Sequence, residues 1–326
     1  MAKKQKHQTS TLPWQGKGWR PEYKGLLPFE WVVLAYILFT SAIVLFTSTK
    51  MANPEAMIWG RIRVGAMIIA LWIVYRMLPC KLTMFMRVGA QMALLAWWYP
   101  DTFELNRLFP NLDHVLATWE QQLFGFQPAL IFARTFSSPI ISELMDCGYV
   151  SYFPMIATII LFYFFRRYDE FQRTVFVILA SFFTYYVIFD LVPVVGPTFY
   201  YKAIGLHNVA QGVFPNVHDY FNLHQECLPS PGYVQGFFYD LVEDAKAAGE
   251  RPTAAFPSSH VGVATICMLF ACQAKNRTLL LSLLPFYVFL CMATVYIQAH
   301  YAIDVVAGFI TGVAFYFIFK WLYPQR

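Results

Sequence analysis

Charged residues are scarce in this chain. Only 13% of its 326 residues are Asp, Glu, Lys or Arg, about half of the roughly 25% that is usual in soluble domains. Glycine-rich nucleotide loops, internal repeats and low-complexity tracts are also missing, and none of the six cysteines forms a CxxC pair. These absences argue against a cytosolic enzyme, a disordered protein and a disulfide-stapled secreted module. We also expect no nucleotide and no other cofactor.

Long apolar stretches are what the chain has instead. Hydrophobic residues make up 58% of it, aromatic residues 19%, and its mean hydropathy is +0.47. A membrane-spanning helix needs about 20 mostly apolar residues. Five stretches fit well, at 29–48, 148–165, 172–195, 278–297 and 300–320, and three more, at 62–79, 84–100 and 258–274, fit with some polar residues. The sequence therefore predicts an all-α transmembrane bundle of about six to eight helices.

The basic residues are unevenly distributed over this layout. If the helices cross alternately, sixteen of the 24 Lys and Arg fall on the side of the N-terminus and eight on the other side. Short loops rich in Lys and Arg remain in the cytoplasm. We therefore expect both termini to be cytoplasmic and the opposite face to be periplasmic or luminal.

The organisation that follows has four parts. Residues 1–28 form a cytoplasmic tail, 29–100 the N-terminal transmembrane helices, and 101–147 an interfacial amphipathic segment. Residues 148–326 form a catalytic transmembrane core. This core includes the long polar loop 196–256, whose aromatic content is typical of a lid.

Two helices are expected outside the membrane. In 101–147, apolar residues recur at helical spacing and predict an amphipathic helix: Leu112, Val115, Leu116, Trp119 and Leu123. In the lid loop, YVQGFFYDLVEDAKAAGE predicts a short helix that ends at Gly249, before Pro252. Cys147 and Cys227 fall on the same face, and whether they form a disulfide remains open.

Two short polar patches stand out against the apolar background. The first is Phe256-Pro257-Ser258-Ser259-His260, where the lid loop enters a membrane helix, and the second is His300-Tyr301-Ala302-Ile303-Asp304, where the last helix starts. One helical hairpin, 258–297, returns the chain to the side on which it began. Both patches should therefore lie at the same membrane face and depth.

The residue types in these patches suit phosphoryl transfer. His300 and Asp304 are four residues apart and share one helix face, so the carboxylate can hold one imidazole nitrogen and leave the other nucleophilic. Ser258, Ser259 and the first backbone N–H groups of the following helix can bind an anion. His260 can protonate a leaving oxygen. These are the parts of a metal-free site that works through a phosphohistidine.

A histidine on a helix is more often a packed residue than a catalytic one, and neither four-residue pattern is specific alone. Ionisable residues in membrane segments are, however, expensive and usually functional. Their convergence favours a functional site. A proton relay through His260, His300 and Asp304 in a transporter is the alternative outside enzymes, although no repeated halves are present.

The two patches resemble the second and third signature motifs of the type 2 phosphatidic acid phosphatase (PAP2) superfamily, P-S-x-H and S-R-x5-H-x3-D. FPSSH carries the first match and HYAIDVVAG the second, and ATVYIQAHYAIDVVAG is most similar to the inositol phosphorylceramide synthase branch. The resemblance covers about 110–320, with weaker support from VGPTFYY and DHVLATWEQQLFGFQP. It implies that His300 is the nucleophile, Asp304 its orienting partner and His260 the acid and base.

Two departures from the family pattern favour transfer over hydrolysis. Ala293 and Thr294 stand where the phosphatases have Ser-Arg, and the first motif, K-x6-R-P, has no proper match. Synthases of the inositol phosphorylceramide type also lack these cations. Lys246 and Arg251, which precede FPSSH, are candidate replacements that bind phosphate, or simply solvated loop charges.

Other polar residues are weaker candidates. Asp190 could pair with a cation, bind an inositol hydroxyl or cap the site. Tyr200 and Tyr201 could line a headgroup pocket or belong to the membrane interface. The loop histidines lack metal-ligand spacing, so we expect no metal: His207, His218 and His224.

The resemblance implies a membrane phospholipid headgroup transferase. It would move inositol phosphate from phosphatidylinositol to ceramide or a similar lipid and release diacylglycerol. A lipid phosphate phosphatase is the alternative among enzymes. The expected partners are the two lipids and the bilayer, and no nucleic acid; the oligomeric state stays open.

Overall fold

A computed structural model describes residues 25–323, which are all-helical and without a strand. Most of the tail predicted at 1–28 lies outside the described residues, with six of the basic residues that were used for orientation. The first helices are α1 (Pro28–Thr47), α2 (Pro54–Met77), α3 (Lys81–Asn106), α4 (Asp113–Phe124), α5 (Pro128–Thr135), α6 (Pro139–Val150) and α7 (Tyr152–Arg166). They are followed by α8 (Tyr168–Leu191), α9 (Pro197–Ile204), α10 (Leu206–Ala210), α11 (Phe237–Gly249), α12 (Ser259–Gln273), α13 (Arg277–Tyr296) and α14 (Ala302–Leu322).

Five helices of the described chain are long and apolar enough to cross a membrane: α1, α2, α8, α13 and α14. The pair α6 and α7, bent by 47° at their junction, makes a sixth span if it is counted as one. An integral membrane bundle is therefore confirmed, with fewer clear spans than the eight apolar stretches of the sequence. Residues 84–100 lie in the more polar α3, and 258–274 correspond to α12, which has only 15 residues.

Buried ion pairs explain why the N-terminal helices carry charges. Arg87 of α3 pairs with Glu30 of α1 and is completely buried. Arg61 of α2 pairs with Asp101 of α3, with 2.6 Å between Nη2 and Oδ2. A charge inside an apolar bundle is tolerated only when it is paired in this way, so these charges tie the three helices together.

Close packing of α12 on α14 brings the two sequence patches together. Gly308 and Gly312 are spaced as in GxxxG motifs, which let helix backbones approach each other. A Cβ atom on Gly312 would lie 2.5 Å from the carbonyl oxygen of Gly262, and one on Gly308 would overlap the carbonyl of Ser258. The first turn of α12 therefore sits directly beside the first turn of α14. The Ser258 N–H donates to the carbonyl of Asp304 at 3.0 Å.

The segments 101–147 and 196–256 contain several helices, although residues 211–236 of the second segment are mostly irregular. The amphipathic helix expected near residue 112 is α4, whose C-cap residue is Gly125 with a φ of 78°. The helix expected in the lid loop is α11, which ends at Gly249. Glu143 of α6 accepts hydrogen bonds from the Phe238 and Tyr239 N–H groups at the start of α11. The lid helix is thus docked on α6. All six cysteines are free thiols.

Candidate active site

His260 and His300 face each other at the junction of α12 and α14. His260 lies in the first turn of α12, after the cap residue Ser258, and His300 lies in the turn between α13 and α14. Nδ1 of His260 is 3.4 Å from Nε2 of His300. The juxtaposition predicted from the helix layout is therefore present in the structure.

A backbone carbonyl sets the orientation of the His300 ring. Its Nδ1 is 2.8 Å from the carbonyl oxygen of Ala255 and 3.6 Å from Oδ2 of Asp304. A carbonyl can only accept, so Nδ1 carries the proton and Nε2 keeps its lone pair. The i, i+4 spacing predicts this orienting bond for Asp304, whose carboxylate is the more distant partner in the structure.

Asp304 is buried and fixes the turn that carries His300. Its Oδ2 accepts a hydrogen bond from the Tyr301 N–H at 2.8 Å. Its Oδ1 has no partner among the described residues. Asp304 therefore holds the backbone next to His300.

His260 is surrounded by aromatic rings. The ring of Tyr149 stacks on it with centroids 4.9 Å apart, and the Tyr152 ring lies 4.5 Å away. Ser258 caps α12 through a bond from the Val261 N–H, and the carbonyl of Ser259 accepts a 3.4 Å bond from Tyr152. The first turn of α12, which was expected to bind an anion, is thus held in place by packing.

The remaining sequence candidates are engaged elsewhere. Asp190 accepts a hydrogen bond from Tyr36 in the N-terminal bundle. The hydroxyl of Tyr200 donates to the Pro215 carbonyl, and the hydroxyl of Tyr201 donates to Gln127. None of these hydrogen bonds links Asp190, Tyr200 or Tyr201 to the histidine pair.

The two candidate phosphate-binding cations have partners of their own. Lys246 donates to Ser230 Oγ at 2.7 Å and lies 3.1 Å from a Glu243 carboxylate oxygen. Arg251 is exposed and donates to Gln225 at 3.2 Å. To bind a phosphate, either cation would first have to leave these partners.

Two acidic residues of α4 were missed by the sequence analysis. Asp113 accepts bonds from the N–H groups of Val195 and Gly196 and from the Tyr301 hydroxyl, at 2.8, 2.9 and 3.0 Å. Glu120 accepts from the Ala302 N–H at 2.5 Å, at the start of α14. Both carboxylates therefore hold the segment that carries His300 and Asp304. The sequence does contain a signal for them, because Asp113 and Glu120 are seven residues apart and therefore lie on the same face of a helix.

Burial changes the acidity of these carboxyl groups. Burial and the influence of Asp304 together raise the pKa of Glu120 to about 8, against the hydrogen bonds donated by the Ala302 and Ile303 N–H groups. Burial also raises the pKa of Asp113, against the hydrogen bonds donated to it. At neutral pH Glu120 is therefore protonated for the most part.

The segment 194–198 links the two motif regions. The Val194 carbonyl accepts from the Ala255 N–H, and the Thr198 N–H donates to the Gln298 carbonyl. Gly196 between them has a φ of 89°, and a Cβ there would lie 2.5 Å from the Ala299 carbonyl oxygen. Only glycine fits this crossing. Asp113, by binding the N–H of this glycine, braces the whole arrangement.

Replacing Asp113 with alanine should destabilise the protein. The change leaves the Val195 and Gly196 N–H groups and the Tyr301 hydroxyl without their acceptor. Each buried donor left unpaired costs about 1–3 kcal/mol, so we expect a loss of at least about 3 kcal/mol. Thermal unfolding in detergent micelles measures it, with the exposed Asp219→Ala as control. Equal unfolding temperatures for the two variants would contradict the bracing role.

The acidity of His300 predicts an unusual pH profile. Burial lowers the pKa of His300 to about 4, although the Ala255 carbonyl and the charge of Glu250 act in the opposite direction. The neutral ring is the nucleophilic form, and it is lost as the pH falls through this value. We expect the acidic limb of kcat/KM near pH 4 instead of near the ordinary histidine value of about 6.5.

Glu250→Gln is the matched control for this profile. Removing the carboxylate charge removes an influence that raises the pKa of His300, so the acidic limb should move to lower pH. A wild-type limb near 6.5, or a shift to higher pH in the variant, would argue against His300 as the group that titrates.

Comparison with known proteins gives one match. A family model described as the PAP2 superfamily matches residues 114–318, nearly two thirds of the chain. No curated protein and no solved structure matches. The matched range contains His260, His300 and Asp304, whereas α1, α2 and α3 lie before it.

Proposed function

The chain belongs to the PAP2 superfamily, and from this premise we propose that it is a membrane phospholipid headgroup transferase. Membership supports a lipid phosphatase or phosphotransferase activity. The proposal goes further: inositol phosphate moves from phosphatidylinositol to ceramide or a related lipid alcohol. The observation that carries the chemistry is the histidine pair, with Nε2 of His300 aimed at His260.

The first half of the reaction forms a covalent intermediate. Nε2 of His300 attacks the phosphorus of the donor lipid, and the bond from phosphorus to the diacylglycerol oxygen breaks. His260, protonated in the starting state, donates its proton to that oxygen as it leaves. The products are diacylglycerol and a phosphohistidine that carries the headgroup. In the structure the two rings contact each other, so the phosphoryl group has to enter between them and replace this contact.

The second half reverses the roles. His260 takes the proton from the hydroxyl of the acceptor lipid, whose oxygen attacks the phosphorus, and the bond from phosphorus to His300 breaks. Asp304 and the Ala255 carbonyl stabilise the His300 ring while it carries the phosphoryl group. Both histidines return to their starting state, and a headgroup-bearing lipid is the product.

Transfer rather than hydrolysis is supported by two features. Ala293 and Thr294, which occupy the places of the phosphatases' Ser-Arg pair, are fully buried, and neither side chain carries a positive charge. His300 is buried as well, and the rings of Tyr149 and Tyr152 pack against the half-buried His260. A dry site protects a phosphohistidine from hydrolysis.

An assay with both kinds of substrate distinguishes the candidates. Purified protein in vesicles is given labelled phosphatidylinositol with ceramide, and separately a lipid phosphate. Inositol-phosphate-bearing ceramide together with diacylglycerol supports the transferase. Free phosphate without any ceramide product would instead establish the lipid phosphate phosphatase, which superfamily membership favours as the second candidate.

We further propose that both termini lie in the cytoplasm and that the histidine pair opens to the opposite face. The distribution of Lys and Arg supports this orientation. Single-cysteine variants at Lys202 and Asn276, treated with an impermeant maleimide in intact cells, test it. We expect labelling at 202 and none at 276. The reverse result would show that the protein has the opposite orientation.

A further inference from the structure

An apolar groove runs between α3 and α7. Its volume is about 340 Å³, and every residue that lines it is apolar. Small residues make room for it, namely Gly89 and Ala93 on α3 and Ala157 on α7. A Cβ placed on Gly89 would meet nothing within 4 Å. The groove is therefore an open space between the two helices.

The two ends of the groove differ. Near one end, the rings of Phe85 and Phe164 pack with centroids 4.9 Å apart and join α3 to α7. Near the other end lies Phe153, whose ring is 5.0 Å from Tyr152, and the Tyr152 ring is 4.5 Å from His260. The groove thus runs from the paired rings of Phe85 and Phe164 to Phe153, which contacts Tyr152 beside His260.

The length of the groove suits one leaflet of a bilayer. Its lining on α7 extends from Phe153 to Leu161 and on α3 from Phe85 to Leu95, which at a rise of 1.5 Å per residue is about 12–15 Å. Half of the ~30 Å hydrocarbon core is about the same length. The lining offers no polar side chain, so it suits a hydrocarbon chain and not a headgroup.

We propose that this groove binds one hydrocarbon chain of the substrate lipid and thereby places its phosphate between His260 and His300. The inference rests on the proposed function and deepens it by locating part of the lipid site. Inside a bilayer a hydrocarbon chain is already out of water, so the gain on binding the groove comes from packing and shape. The groove therefore positions the substrate lipid more than it increases the affinity for it. One wall of the groove, α3, lies outside the range that matches the family, whereas the other wall, α7, lies within it.

A leucine at position 89 would fill the groove, and the chain offers a matched control. Gly65 of α2 also has nothing within 4 Å of a built Cβ and does not line the groove. We compare kcat/KM for a long-chain donor with kcat/KM for a dihexanoyl donor. Gly89→Leu should lower the ratio of the two about tenfold, equivalent to about 1.4 kcal/mol. Gly65→Leu should leave the ratio unchanged. An unchanged ratio in a folded Gly89→Leu protein would overturn the proposal.

A second measurement does not depend on turnover. A phospholipid with a photoreactive group in its acyl chain is irradiated with the wild-type protein in vesicles, and the labelled peptides are identified by mass spectrometry. Adducts within 85–95 and 153–161 should saturate with probe concentration, whereas adducts on exposed membrane-facing residues such as Phe309 and Ile310 should rise linearly. Linear labelling everywhere would show bulk lipid only and would overturn the groove. If the wild type turns over neither donor, the proposed function fails, and the labelling still decides the groove.

Discussion

The His300→Ala variant should have no measurable headgroup transfer. The nucleophilic nitrogen is removed, and with it the covalent intermediate on which both half-reactions depend. Removing a nucleophile of this kind costs about 10⁴–10⁶-fold in kcat. The buried ring also contacts the Ala255 carbonyl, so the fold of the variant is checked by its unfolding temperature.

A matched control and a trapping experiment make this result specific. His207 is exposed on α10, so His207→Ala should keep wild-type activity. With labelled donor and without acceptor, the wild type should retain acid-labile label on the protein, and His300→Ala should retain none. Full transferase activity in His300→Ala would remove the phosphohistidine mechanism and revive the proton relay of a transporter.

The meeting of the two histidines could be predicted because it depends on topology alone. A single hairpin, α12 to α13, separates FPSSH from HYAID, so both must lie at one face. GxxxG spacing in α14 then brings the two backbones into contact. These features are local, periodic and visible in one sequence.

The hydrogen bond that orients His300 could not be predicted in the same way. Its acceptor is the backbone carbonyl of Ala255, and a carbonyl is present at every position of the chain. Only the fold of 194–198 against this segment decides which carbonyl faces the ring. Asp304 carries the expected spacing, yet its nearest bond is to the Tyr301 N–H.

The cations illustrate a second limit. Lys246 and Arg251 precede FPSSH in sequence, which made them candidates for phosphate binding. In the structure α11 turns Lys246 towards Ser230 and Glu243, partners that lie within the same lid segment. The fold of a 61-residue segment such as 196–256 cannot be derived from composition, so neighbours in sequence do not become neighbours at the site.

Asp113 and Glu120 were overlooked for the opposite reason. The periodicity of α4 predicts a helix with an apolar face and gives no reason to single out its two acids. Both are completely buried and bind backbone N–H groups near HYAID. A buried acid on an amphipathic helix is recognised only when its donors are known, and those donors come from distant parts of the chain.

The His260→Phe variant should retain the fold and lose about 10²–10⁴-fold in kcat, the range for general acid–base catalysis. Phenylalanine keeps the ring between Tyr149 and Tyr152 but cannot donate or accept a proton. The loss should depend on the leaving group. Diacylglycerol leaves as an alkoxide unless it is protonated, whereas a phenolate leaves without help.

An aryl phosphodiester of inositol therefore separates the two histidines. With this donor His260→Phe should form the phosphohistidine at close to the wild-type rate, visible as a burst of phenolate, and then stall because the acceptor hydroxyl is not deprotonated. His300→Ala should show no burst with either donor. An equal loss for His260→Phe in the first step on the alkyl and the aryl donor would show that His260 does not protonate the leaving oxygen, and this proton transfer would then have to be assigned to another group.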